Sequence, residues 1–359
     1  MRAAIMRNRQ LVVGELPVPE PGPGEVRVKT LACGICGSDL HALRYGEQLV
    51  ATSKRAGGVF DMDLARDVVM GHEFCAEIVD HGPRTQGTLK AGTQVCAMPV
   101  LLRPDAVATI GYSNDNPGGF GEYMRLTEAL LLPVPNGLAP EYAALTEPMA
   151  VGLHAVEKAR LDADDVPLVI GCGPVGLAVI AALKARDQRP IVAADYSPQR
   201  RDLAVTMGAD IVVDPANGSA DASWREAATI HSPSTTPPPW VTGPLLRQAI
   251  IFECVGVPGI IDHIMEQAPK NARIIIVGVC MQRDHFEPVF GINKELNLQF
   301  VLGYSREEFA RTLHCIAEGE TSVAPLITAK VGLNGVAQAF DDLRSPDQHA
   351  KILVEPWRE

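Results

Sequence analysis

The chain has 359 residues, 47% of them hydrophobic, and carries 43 acidic against 32 basic side chains, a formal net charge of −11. That length exceeds what one hydrophobic core ordinarily fills, so two domains are expected. The acidic balance repels phosphate backbones and anionic head groups, which excludes nucleic acid and membrane surfaces as expected partners and leaves small molecules.

Met1 to Gln10 has basic residues but no apolar run behind them, so export is not expected. The eight cysteines are scattered apart from Cys33 and Cys36, which suits free thiols in a reducing, cytoplasmic setting. Over the first 150 residues, short valine-containing runs are broken by Gly and Pro, as in PVPEPGPGEVRV at 17–28, and this reads as irregular β structure. Three segments there carry chemistry: CGICGSDLH at 33–41, GHEFC at 71–75 and LTEPMAVGLHA at 145–155. Taken singly, Cys36 reads as a small core residue, His72 as a partner of backbone groups, and Glu147 as an acid favoured at a helix N-terminus. Taken together they supply one thiolate, one imidazole and one carboxylate, the donor set of a catalytic zinc site with an open fourth position.

From Asp164 the texture changes to apolar strand, glycine turn and helix, repeated. Val166 to Leu183 carries no charge and approaches the length of a membrane span, but three glycines and Pro174 turn it into strand, turn and helix. Within it Gly171, Gly173 and Gly176, with Pro174 and Val175 between them, form a GxGxxG turn, and Asp195 closes the next strand about 20 residues later. Such a turn rests a diphosphate on a helix N-terminus; its ordinary alternative is a glycine-rich connection without a ligand. Asp195 favours NAD over NADP, because a carboxylate accepts hydrogen bonds from both ribose hydroxyls and repels a 2′-phosphate. Arg200 and Arg201 complicate that choice and read as a solvated face or an adenine-side contact. The following helix starts at Ser197 and Pro198 and stops at Gly208.

DIVVD at 210–214, AIIFECVG at 249–256 and ARIIIVGV at 272–279 are near-continuous apolar runs, as buried parallel strands require. A doubly wound α/β domain follows, with Cys254, Val255, Gly278 and Val279 at its strand ends assigned to the cofactor. HSPSTTPPPWVTG at 231–243 reads as a surface loop. The tail from Arg306 has a helical run, Glu307 to Glu318, and a strand-like KILVEP ending that folds back onto the first domain.

With these segments on one chain, the sequence resembles the zinc-dependent medium-chain alcohol dehydrogenases, especially the polyol, threonine and secondary-alcohol branch. PGPGEV near the start and GGFGEYM at 118–124 carry the likeness further. The resemblance implies a GroES-like, mainly β catalytic domain over 1–150 completed by 306–359, and an NAD-binding Rossmann domain over 151–305. It makes Cys36 and His72 zinc ligands and leaves the third place open between Glu73 and Glu147; one thiolate and one glutamate already neutralise Zn²⁺, so one glutamate is expected to bind at a time. Catalysis would combine a Lewis-acidic zinc with hydride transfer to nicotinamide, Ser38 taking the substrate proton and passing it through the cofactor ribose to His41. Many relatives hold a second, structural zinc on four closely spaced cysteines, whereas no cysteine stands between Cys96 and Cys172, so a single zinc is expected.

Two departures bear on the substrate. Thirty-five residues separate Cys36 from His72, and the added length in 42–70 reads either as a flap hinged at Gly57-Gly58 or as an excursion packed on its own domain. Gly303 precedes Tyr304 where polyol dehydrogenases tend to carry arginine, which points to a mainly apolar secondary or larger primary alcohol, or its carbonyl, rather than a sugar alcohol. Rival readings are a polyol or threonine dehydrogenase, a zinc-free NADPH quinone or enoyl reductase, and a catalytically silent NAD-binding protein. By resemblance, the strand-like stretch Phe286 to Asn293 would pair across a homodimer or homotetramer.

Overall fold

The computed structural model describes residues 1–104, 106–231 and 243–359; most of the proline-rich stretch read as a surface loop, 232–242, lies outside the described residues. The chain divides into two compact units, Met1–Pro148 with Ser305–Glu359, and Met149–Tyr304.

In the first unit, strand Glu25–Gly34 is the hub of a seven-stranded sheet. It pairs antiparallel with Glu73–His81, with Tyr123–Thr127 and, at its end, with the C-terminal strand Lys351–Val354. That last strand also lies parallel to Ile327–Val331, which is how the tail joins the sheet. The register Gly34↔Glu73 and Leu353↔Gly34 brings three distant stretches of sequence to one point. Beneath lies an apolar core that includes Ile5, Val28, Met70, Phe74, Phe120 and Phe340.

The excursion between Cys36 and His72 is mostly helix, Gly37–Ala56, followed by a packed return. Gly57 ends the helix in the left-handed region, φ 68°, and the Phe60 amide donates to Ser53 Oγ at 3.0 Å. Met62 and Ala42 are buried in the core, and Leu43, Leu49, Val50 and Phe60 pack against it. The glycine pair thus stops a helix, and the segment packs against the core of its own domain.

The second unit is a six-stranded, wholly parallel sheet. Its spatial order is Ile211–Val213, Val192–Ala194, Val166–Ile170, Ala249–Glu253, Arg273–Ile276, Asn297–Phe300. In sequence terms that is third, second, first, fourth, fifth, sixth, the doubly wound order whose switch point lies between the first and fourth strands. Apolar strands are required because helices cover both faces of such sheets. The helix after the glycine turn, Pro174–Ala185, is buried over most of its surface, and Ser197, Pro198 and Gly208 cap the next one as the sequence suggests. One element differs: Phe286 to Asn293 is not a strand. Pro288 opens a helix, Pro288–Lys294, and the edge strand is Asn297–Phe300. Proline at the first helical position costs no hydrogen bond, which tips a short, ambiguous apolar run towards helix. Among the described residues no helix is long and apolar enough to cross a membrane.

Candidate metal centre and dinucleotide turn

Cys36 stands just before the helix Gly37–Ala56, His72 just before the strand paired with Glu25–Gly34, and Glu73 opens that strand. Donor atoms of Cys36, His72 and Glu73 lie within 4.8 Å of one another, the one such group of three among the described residues. A thiolate, an imidazole and a carboxylate at this spacing match the donor set of a catalytic zinc site and fit the ion. Glu73 gets there because its partner across the sheet is glycine: a Cβ on Gly34 would fall 1.9 Å from Glu73 Oε2.

Around these three sit groups that sequence reasoning did not single out. Asp39, fully buried, accepts the Cys36 amide at 2.9 Å through Oδ2, and its Oδ1 lies 3.3 Å from His72 Nδ1. With Nδ1 turned to a carboxylate, Nε2 is the nitrogen left for a metal, the common arrangement of metal-binding histidines. Burial opposes a charged His72 ring, but Asp39 and the Cys36 sulfur outweigh it and hold its pKa well above the usual value. Lys351, 1% exposed, donates to both oxygens of Glu73 at 2.7 Å and to the Ile35 carbonyl at 3.0 Å. Three partners satisfy all three ammonium protons. Burial works against the charged lysine, and Glu73 prevails, so its pKa is raised. A lysine opening a fully buried four-residue strand was the signal available in the sequence. Asp39 had one too, an acid three residues after a helix cap.

Glu147 lies at the start of helix Thr146–Ala159, buried, and near enough for its charge to act on Lys351, but it is not in the three-residue cluster. Ser38 and His41 are three residues apart in the first turns of helix Gly37–Ala56, so they share a face. Ser38 Oγ lies 2.8 Å from the Tyr112 hydroxyl, and the His41 ring packs edge-on to Tyr45 at 6.2 Å between centroids.

In the second unit, the glycine turn sits at the carboxyl end of the first strand, beside the end of the fourth. A Cβ on Gly176 would meet the Gly171 carbonyl oxygen at 1.9 Å, so the helix could not pack so closely with any other residue. Gly173 and Pro174 form the helix start. Asp195 ties the turn to its own strand, its Oδ2 accepting the Cys172 amide at 2.7 Å and its Oδ1 the Ser197 amide at 2.8 Å. Each oxygen keeps a lone pair for a ligand hydroxyl. Arg201 is engaged by the carbonyls of Asp195 and Tyr196, both at 2.8 Å, and by Asp214. Arg200 instead reaches the turn: its Nη1 lies 3.9 Å from where a Gly173 Cβ would be. Val255 and Val279 are left exposed past the ends of the fourth and fifth strands, with Cys254 against Gly171 and Gly278 against Gly256. Burial pushes Cys172 up to about 12 and Cys254 well above the ordinary thiol value, so neither is a ready nucleophile.

A three-donor metal cluster on one unit and a dinucleotide turn on the other define a metal-dependent, nucleotide-linked dehydrogenase. Residues 22–136 match the alcohol dehydrogenase GroES-like domain, and residues 174–318 match the zinc-binding dehydrogenase domain. The (R,R)-butanediol dehydrogenase of Bacillus subtilis (strain 168) is 30% identical over 370 residues, covering 99% of this chain and 100% of that one. A sorbitol dehydrogenase of the same strain is 26% identical over 375 residues, 100% and 98% of the two chains. The crystal structure of the B. subtilis 2R,3R-butanediol dehydrogenase superposes with a TM-score of 0.79 at 30% identity over 99% of each chain. The chain belongs to the zinc-dependent medium-chain alcohol dehydrogenase family.

Proposed function

We propose that this protein oxidises mainly apolar secondary alcohols, short diols included, with NAD, and reduces the matching carbonyls. The observation that carries the reading is the convergence of Cys36, His72 and Glu73 within 4.8 Å. A zinc ion held there supplies Lewis acidity towards an alcohol oxygen, and bound NAD supplies the hydride acceptor. Cys36, His72 and Glu73 are the ligands, Asp39 orients the His72 ring, and Lys351 offsets the Glu73 charge; Glu147 stands by as a second carboxylate. Ser38 takes the substrate proton at Oγ and His41, further along the same helix face, carries it towards solvent. Gly171, Gly173, Pro174, Val175 and Gly176 cradle the diphosphate, Asp195 the ribose, Arg200 the adenosine side, and Cys254, Val255, Gly278 and Val279 the nicotinamide half.

Phe60 and Tyr112 give the His72 neighbourhood aromatic walls, and a buried sugar hydroxyl left unpaired there would cost about 1–3 kcal/mol. Butanediol, the substrate named for the B. subtilis relative, has secondary hydroxyls on a short apolar chain. A kcat/KM panel of 2,3-butanediol, medium-chain and aromatic secondary alcohols, sorbitol and threonine, run with both coenzymes, tests this. The apolar secondary alcohols with NAD should lead; sorbitol or threonine ahead by about a hundredfold, or NADP preferred, would overturn it. The free cysteines suit a reducing cytoplasm. The edge strand Asn297–Phe300, with Phe300 60% and Leu302 80% exposed, supports pairing with a second copy into a homodimer.

A further inference from the structure

Tyr112 comes from the cysteine-free stretch after Cys96, and no motif singles it out, yet it is buried beside the candidate centre. Its hydroxyl oxygen lies 2.8 Å from Ser38 Oγ and 3.0 Å from Asp39 Oδ1. Its ring centroid is 5.2 Å from that of His72, and Phe60 meets it edge-on at 5.3 Å. Thr109 Oγ1 donates to the Tyr112 carbonyl at 3.0 Å, fixing the backbone from behind. A ring that only filled space could be phenylalanine; the hydroxyl adds two polar partners, both on the first turn of the helix that begins after Cys36. A phenol has one proton and these are two neighbours able to take it. Whichever takes it, Ser38 Oγ keeps a rigid polar partner, which selects one of the three staggered rotamers open to a serine.

We propose that Tyr112 is a positioning residue for proton transfer: it holds the Ser38 hydroxyl in one rotamer and ties it to the Asp39 carboxylate that orients His72. The proposal rests on the assignment of Ser38 as the acceptor of the substrate proton. Without the phenol oxygen the serine would populate other rotamers, and the fraction poised to take the proton would fall. Positioned proton transfer contributes about 10²–10⁴-fold, so losing the position but not the group should cost about 10- to 100-fold in kcat.

The test is a double-mutant cycle on the zinc-loaded enzyme with Tyr112→Phe and Ser38→Ala, joined to high-resolution crystal structures of the parent and of Tyr112→Phe. Tyr112→Phe should lower kcat about 10- to 100-fold with the KM for coenzyme unchanged, and should add nothing in the Ser38→Ala background. In the crystals Ser38 should occupy one rotamer in the parent and spread over several in Tyr112→Phe. Equal losses in both backgrounds, or a Ser38 that keeps its single rotamer without the phenol oxygen, overturns the proposal. If the parent oxidises none of the alcohols, the proposed function fails, and the Ser38 density alone still decides whether Tyr112 positions it.

Discussion

Lys351→Met is expected to cost about 3–5 kcal/mol of stability in the metal-free protein, because it strands a fully buried carboxylate. Glu73 is 0% exposed, and the ammonium serves both its oxygens. Methionine fills the space but leaves those oxygens without a charge-assisted donor. Removing the charge as well, in Lys351→Met with Glu73→Gln, should recover much of the loss, since replacing both members of a buried pair is far cheaper than removing one. Urea unfolding midpoints of the chelator-treated proteins measure this. A single-variant loss below about 1 kcal/mol would mean that solvent or another group reaches Glu73 and that the pair is not what holds it.

Cys36→Ala is expected to abolish metal binding and to lower kcat/KM for a secondary alcohol by about 10³-fold or more. A Lewis acid contributes several kcal/mol at the transition state, and each 1.36 kcal/mol is about a factor of ten. Coenzyme binding should survive, because Gly171 to Gly176 and Asp195 belong to the other unit. Metal analysis, initial rates and an NAD titration followed by tryptophan fluorescence separate the two effects. A Cys36→Ala protein that turns over near the parent's rate would show that the thiolate does not serve the reaction.

Much of the second unit was legible in the sequence because its constraints are local. The Gly176 contact with the Gly171 carbonyl, the Ser197-Pro198 start and the Gly208 stop are each decided within a few residues. The run Phe286 to Asn293 misled for a related reason: strand and helix cannot be told apart over so few apolar residues, and Pro288 decided in favour of helix. The donor set was legible as residue types in short motifs. The approach of Glu73 to Cys36 and His72 was not, since that depends on Gly34 standing opposite Glu73 across the sheet. Lys351 and Tyr112 lay further out of reach. Their partners are 278 and 74 residues away in sequence, and only the strand register and the packed loops bring them together.

Metal reconstitution of the unmodified protein tests whether zinc at Cys36, His72 and Glu73 drives the oxidation. The enzyme is stripped with a chelator, its zinc is measured, and NAD-dependent oxidation of a secondary alcohol is followed as zinc is returned. Activity should be lost with the metal and should rise in proportion to zinc until one ion per chain is bound. A stripped protein that still oxidises the alcohol at the parent's rate would contradict a zinc-dependent mechanism at Cys36, His72 and Glu73.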